Sequence, residues 1–143
     1  MTDIVSIGAA TLDIFLKSDI FKVEDQRLIL PYSSKNEIKE TLICSGGGAT
    51  NSSVSFSRLG LKSACLSLIG SDPFSQIITK DLASDGVKSL IRRSKENTDF
   101  SVTLVASDGG RTILTQRGSS RLQSKHLKWS SLKPARWLYI TSL

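Results

Sequence analysis

The run Ile4 to Ile7, β-branched and closed by Gly8 and small residues, predicts a buried strand that ends at the rim of a sheet and delivers Asp13 to that strand's carboxyl end. From Ile14 to Cys44 the pattern is broken. "DIFLKSD" and "EIKETLIC" are the size of short strands, and the charged "KVEDQR" and "PYSSKNE" between them read as loop. After three glycines, Ala49, Ser53, Phe56 and Gly60 fall on one helical face, and Gly60 stops the helix. That face is made largely of small residues and so permits a close approach to a sheet. "SACLSLIG" reads as one compact buried strand. "DPFSQIITKDLASDGV" reads as a helix with Asp72 as N-cap, Pro73 at its first position and Gly86 past its end. Strand and helix in alternation predict an α/β fold with a mostly parallel sheet flanked by helices.

The second half changes period. Phe100, Val102, Leu104 and Ala106 alternate with polar residues, Asp108-Gly109-Gly110 turns the chain, and Thr112 to Thr115 returns, which predicts a hairpin. "SKHLKWSSL" reads as a short helix and "ARWLYITSL" as a buried strand. Trp129, Trp137 and Tyr139 are expected in the core. A buried parallel strand needs neighbours and a covering helix, so the chain is expected to be the front part of a longer protein whose carboxyl-terminal half is missing.

Charge changes this picture little. The net charge of +6 comes from 19 basic residues that lie scattered, without interleaved aromatic residues, so no nucleic-acid partner is expected. Cys44 and Cys65 form neither a metal-ligand spacing nor a disulfide framework, and are expected as reduced, mostly buried thiols. The amino terminus lacks the basic stretch of a secretory signal, and no apolar run approaches the ~18 residues of a membrane span. A cytoplasmic protein with no membrane partner is the expectation.

The chemistry centres on "CSGGGATNSSVSFSRLG", residues 44–60. A phosphate-gripping P-loop needs a lysine directly after its glycines, and none follows before Lys62. A dinucleotide loop needs a third glycine where Asn51 stands. What survives is a bare main chain at Gly46, Gly47 and Gly48 that a ligand approaches closely. Asn51 adds one donor pair and one acceptor, and Asp13 accepts from two hydroxyls at once. This is a polyol grip. A tight turn whose Asn51 merely caps the helix accounts for the same residues equally well. His126 reads as a surface residue without ligand partners, and Ser45, Ser52 and Ser53 lack a neighbouring base.

"GGGATNSSVSFSRLG" followed by "SLIGSDPFSQIITKDLASDGV" resembles the first signature region of the PfkB, or ribokinase-like, carbohydrate kinases. "IVSIGAATLDIFL" resembles that family's first strand with its aspartate at Asp13, and "GGRTILTQRGSS" its later hairpin and loop. The resemblance implies a ribokinase-like sheet with a small β lid. Its strands would come from about residues 14–44 and part of the 98–116 hairpin, within a single domain over 1–143. It implies sugar-binding roles for Asp13, Gly46, Gly47 and Asn51. Gly48 stands where sugar kinases commonly carry another residue, and Arg117 matches a position near the substrate in some members.

ATP and Mg2+ follow from the same resemblance, with their sites mostly outside this chain, because the family's catalytic aspartate and G-A-G-D helix start are absent. Asp72 and Asp85 do not replace that base, since a helix cap and a helix end account for them. The implied activity is ATP-dependent phosphorylation of a sugar hydroxyl, with this chain carrying the sugar-binding half and inactive alone. A nucleoside kinase of the same family and a non-catalytic sugar-binding module are the alternatives. A homodimer through the lids is the implied partner arrangement.

Overall fold

Val5, Ser6 and Ile7 are all buried in the first strand, β1 (Thr2–Ile7), which is therefore covered on both faces, as a strand inside a parallel sheet must be. The computed structural model that shows this describes residues 1–119 and 121–141. Ser120, in the loop after the hairpin, and Ser142 and Leu143, at the end of the last expected strand, lie outside them. Gly8 to Ala10 carry the chain out of β1 into β2 (Thr11–Lys17), which belongs to a different sheet. Asp13 thus sits inside a strand of its own, and its expected position at the carboxyl end of β1 is corrected.

The stretch expected as loop contains a small hairpin of β3 (Lys22–Glu24) and β4 (Arg27–Ile29). Its turn residues Asp25 and Gln26 both have positive φ, 49° and 61°, the backbone that a two-residue hairpin needs. The chain returns through β5 (Glu40–Gly46) to helix α1 (Gly48–Arg58).

Ala49, Thr50 and Ser53 form the buried face of α1, and small side chains there let the helix lie close to β1 and to the next strand, β6 (Ser63–Leu66). Past the helix, Gly60 has φ 87°, as a C-terminal glycine does. The expected single strand over 63–70 is divided at Ser67, whose hydroxyl donates to the Gly8 carbonyl at 2.6 Å, and resumes as β7 (Leu68–Ile69). Helix α2 (Pro73–Ser84) follows the sequence closely. The Asp72 carboxylate accepts from the Ser75 N–H at 3.0 Å, Pro73 opens the helix, and Gly86 has φ 69° beyond it. Short strands β8 (Lys88–Ser89) and β9 (Arg92–Arg93) lead to the hairpin of β10 (Phe100–Val105) and β11 (Arg111–Gln116). A 3-10 turn at Ser124–His126 and a one-turn helix α3 (Trp129–Leu132) replace the short helix expected there, and β12 (Ala135–Ile140) is the last element.

Two sheets result. The first has the order β12-β1-β6-β8 with every pair parallel, and β7 and β9 pair in parallel beyond it. Ala10, Ala49, Cys65, Ile69, Ile78 and Leu82 pack on one face, under α1 and α2, and Val5, Ile7, Ala64, Leu66 and Leu132 on the other. The second sheet has the order β11-β10-β2-β5, with β10 parallel to β2 and the outer strands antiparallel. A separate apolar cluster of Phe21, Leu104 and Ala106 supports it.

Within this chain the aromatic side chains expected in the core lie exposed. β12 is an edge strand, with Trp137 68% and Ile140 66% exposed, and Trp129 and Tyr139 are also exposed. Apolar sequence made β12 a strand, but among the described residues only β1 pairs with it, and Tyr139 packs on the Phe56 ring, edge-on at 5.4 Å. Among the described residues no helix is long and apolar enough to cross a membrane.

Candidate functional site

Parallel pairing of β2 with β10 and antiparallel pairing of β2 with β5 set Asp13 between Ser101 and Cys44 in register. Residues paired this way project from one face of a sheet, and so do residues two apart on a strand. Thr11, Asp13, Cys44, Gly46 and Ser101 therefore share a face. Asp13 Oδ1 accepts from the Ser101 hydroxyl at 2.8 Å and from the Thr11 hydroxyl at 3.2 Å. Oδ2 accepts no hydrogen bond among the described residues and lies against Gly46. A Cβ on Gly46 would stand 2.7 Å from the Asp13 Cγ and 3.1 Å from the Thr11 hydroxyl oxygen. The aspartate is thus held by one oxygen and offers the other.

Gly47 makes the corner into α1 with φ 93° and ψ 155°, a backbone region open essentially to glycine alone. A Cβ there would meet the main chain of Ala9 and Ala10, at 2.8 Å from the Ala9 carbonyl carbon. The first helical turn is tied to the same spot, where the Ala49 N–H donates to the Ala9 carbonyl at 3.0 Å. Gly48 leaves room for the Thr141 side chain, arriving from the end of β12; a Cβ would lie 2.7 Å from its Cγ2. Each glycine therefore has a different neighbour, and only Gly46 touches a candidate ligand group.

No side chain caps α1, so the reading of Asn51 as a helix cap is not what the molecule does. Asn51 is exposed in the first turn of α1; its backbone N–H donates to the Gly47 carbonyl at 3.0 Å, and its side-chain amide makes no hydrogen bond among the described residues. With Cys44 and Ser45 it borders a cavity of about 530 Å³ between α1 and α2. The Ser45 N–H donates to Asp81 of α2 at 3.0 Å, and Arg58 pairs with Asp85 at 2.8 Å along the same groove. Burial, and then the negative charges of Asp13 and Asp81, push the Cys44 thiol above its usual range. Asp13 does not line that cavity, and among the described residues no hydrogen bond joins it to Asn51.

Arg117 is exposed just past β11 and is not brought to this group; β10 stands between its strand and β2. The adjoining Gly118 and Ser119 are held instead by Asp99, whose Oδ1 accepts both backbone N–H groups at 2.7 and 2.8 Å. His126 is half-buried, and its Nδ1 accepts from the Gln123 N–H at 2.9 Å. Cys65 is buried, and burial raises its thiol to about 11. Two partners went unseen in the sequence. Thr11 was accessible, because a period of two sets it beside Asp13. Ser101 was not, because it needs the β2–β10 register.

Matches to known proteins bear on the fold and the family. The profile of the pfkB family carbohydrate kinases matches residues 1–143. The uncharacterized sugar kinase YegV of Escherichia coli is 27% identical over 116 residues, which are 80% of this chain and 33% of that protein. Ribokinase from Giardia lamblia superposes with a TM-score of 0.81 at 17% identity, covering 98% of this chain and 44% of its own. For ribokinase from Thermotoga maritima the values are 0.75 and 21%, over 92% of this chain and 42% of its own. Arabidopsis thaliana ribokinase, solved with ribose and ATP, gives 0.67 and 20%, over 82% and 36%. The chain thus spans a third to less than half the length of these relatives. Parallel sheet, flanking helices and glycine corner make up a ribokinase-like fold, and by the match over its whole length this chain belongs to the pfkB family of carbohydrate kinases.

Proposed function

We propose that this chain supplies the sugar-binding part of an ATP-dependent carbohydrate kinase. The observation that carries the reading is Asp13, oriented through one carboxylate oxygen by Thr11 and Ser101 while the other lies over the bare Cα of Gly46. A carboxylate so fixed accepts hydrogen bonds from sugar hydroxyls without first having to be ordered. Each such charge-assisted bond contributes about 1.5–3 kcal/mol. Gly46 gives the sugar ring access to the main chain, Gly47 sets the corner, and Asn51 offers donors and an acceptor from α1. Arg117 remains a candidate for a substrate group reached from the hairpin side.

The same face of the second sheet carries the next row, Leu42, Phe15, Thr103 and Ile113 in register. As a lid, that row covers the apolar face of a sugar and keeps water from the reacting hydroxyl. Leu42 and Ile113 are 59% and 52% exposed, and lid-to-lid pairing of two copies is the partner arrangement this reading includes. The setting it implies is the cytoplasm, where ATP is available.

Phosphoryl transfer draws on groups this chain does not assemble. Among the described residues no cluster of three or more His, Cys, Asp or Glu is placed to hold a metal ion, and the glycine corner has no lysine to reach phosphates. These residues do not fit a magnesium or ATP-phosphate site, so no step is assigned here to either group. Asp72 caps α2 and Asp85 pairs with Arg58, which leaves neither as the base. The chain is expected to bind sugar without turning over ATP.

Thermal unfolding with a panel of pentoses, hexoses and nucleosides tests this. A ligand at a hundred times its dissociation constant adds about 2.7 kcal/mol, roughly 5–10 °C for a chain of this size. Asp13→Asn is expected to remove that shift while unfolding near the wild-type temperature. Equal shifts in wild type and variant, or none with any polyol, refute the assignment. A nucleoside shift that exceeds every sugar shift moves the substrate class.

A further inference from the structure

Two basic pairs remote in sequence line one concavity: Arg92 and Arg93 of β9, and Lys125 and Lys128 at the 3-10 turn, with His126 among them. Its volume is about 450 Å³. Among the described residues none of these four cations has an ion-pair partner; the acidic side chains in such pairs serve Lys17, Lys39, Arg58 and Arg136 instead. Nor does any carboxylate line the cavity.

Two of the lining groups are positioned by the fold. Arg93 donates one Nη1–H to the Gly70 carbonyl at 2.8 Å, which anchors its guanidinium at the end of the parallel sheet. His126 uses Nδ1 as the acceptor for Gln123, so its neutral ring carries the proton on Nε2 and is a further donor. Like charges gathered in a concavity repel one another and focus a positive potential within it, and a bound anion relieves the repulsion. The volume is that of a small-molecule pocket. No Phe, Tyr or Trp lines it, so nucleic-acid bases would have nothing to stack on.

We propose that this cavity is a second binding site, for a small phosphorylated metabolite carrying several negative charges. It shares no residue with the Asp13 and glycine-corner site, and it stands whether or not that site takes a sugar.

Calorimetric titration of this chain with inorganic pyrophosphate at low ionic strength tests the proposal. The double variant Lys125→Gln/Lys128→Gln alters exposed side chains only, and Lys22→Gln/Lys35→Gln removes the same charge from exposed positions elsewhere. Saturable binding is expected in wild type and in the second variant. In the first it is expected to weaken about a hundredfold, tenfold for each lost charged donor. Equal weakening in both variants, no saturable binding in wild type, or tighter binding of a single-stranded oligonucleotide than of pyrophosphate overturns the proposal.

Discussion

Gly46 and Gly47 are neighbours, yet an alanine at each should break a different property. At Gly47 the backbone itself is the obstacle: φ 93° with ψ 155° costs a residue with Cβ about 1–3 kcal/mol. The added carbon would also lie 2.8 Å from the Ala9 carbonyl carbon and 2.9 Å from the Ala10 Cα, where carbons normally rest about 3.5–4.0 Å apart. Neither neighbour is the free end of a side chain, so relief means moving the β1–β2 connection. Overpacking of this kind costs about 1–3 kcal/mol. Gly47→Ala is therefore expected to lose about 4 kcal/mol, or roughly 8–16 °C.

At Gly46 no positive φ intervenes, and the obstacle is the half-buried Asp13 carboxylate. Swinging it aside sacrifices its bonds from Thr11 and Ser101 but exposes it to water, a net cost of about 1–2 kcal/mol. Gly46→Ala should stay folded and lose sugar-dependent stabilisation. Urea unfolding with and without sugar, at unchanged denaturant slope, measures both quantities. Should the two variants prove equally stable, or Gly46→Ala keep its sugar response, the division of labour between the two glycines is wrong.

Three further outcomes follow from the geometry. Burial disfavours the charged form of Asp72, but bonds from the Thr98 and Ser75 backbone N–H groups outweigh it and hold the carboxyl below its ordinary value. A depressed folded-state pKa means stability that is full above the unfolded value, about 3.9, and lost as pH falls through the folded one. Asp72→Asn should thus flatten the acid limb of an unfolding-versus-pH series and cost about 1–2 kcal/mol near neutrality. Native-state alkylation at neutral pH should modify Cys44 slowly and leave Cys65, raised to about 11 and buried, untouched until unfolding; mass spectrometry of the labelled peptides reads the order. Arg58→Ala should leave the urea midpoint almost unchanged, because the guanidinium that meets Asp85 is largely exposed.

What could be read from the chain was what short-range chemistry decides. Helix α2 is set by Asp72, Pro73 and Gly86, all within its own segment, and sequence and structure coincide there. The glycine corner was visible, but the reason for each glycine was not, because Ala9, Asp13 and Thr141 come from three other parts of the chain. The β3–β4 hairpin escaped notice because Asp25 and Gln26 adopt positive φ without the glycine that normally announces it. "ARWLYI" announced β12 as an apolar strand needing further neighbours, and the strand order leaves one side of it open within this chain. Asp13 was found by type, and the hydroxyl from β10 that orients it depended on a parallel register between distant segments.

Thr141 filling the space beside Gly48 has a consequence for the order of assembly during synthesis. The glycine corner leans on the exit of β1, made early, and on Thr141 past β12, made much later, so its final shape must wait until residue 141 has left the ribosome. Until then Asp13 can already be clamped by Thr11, yet the space beside Gly48 stays open. A nascent chain arrested before residue 141 should accordingly carry the first sheet's helices without a finished grip.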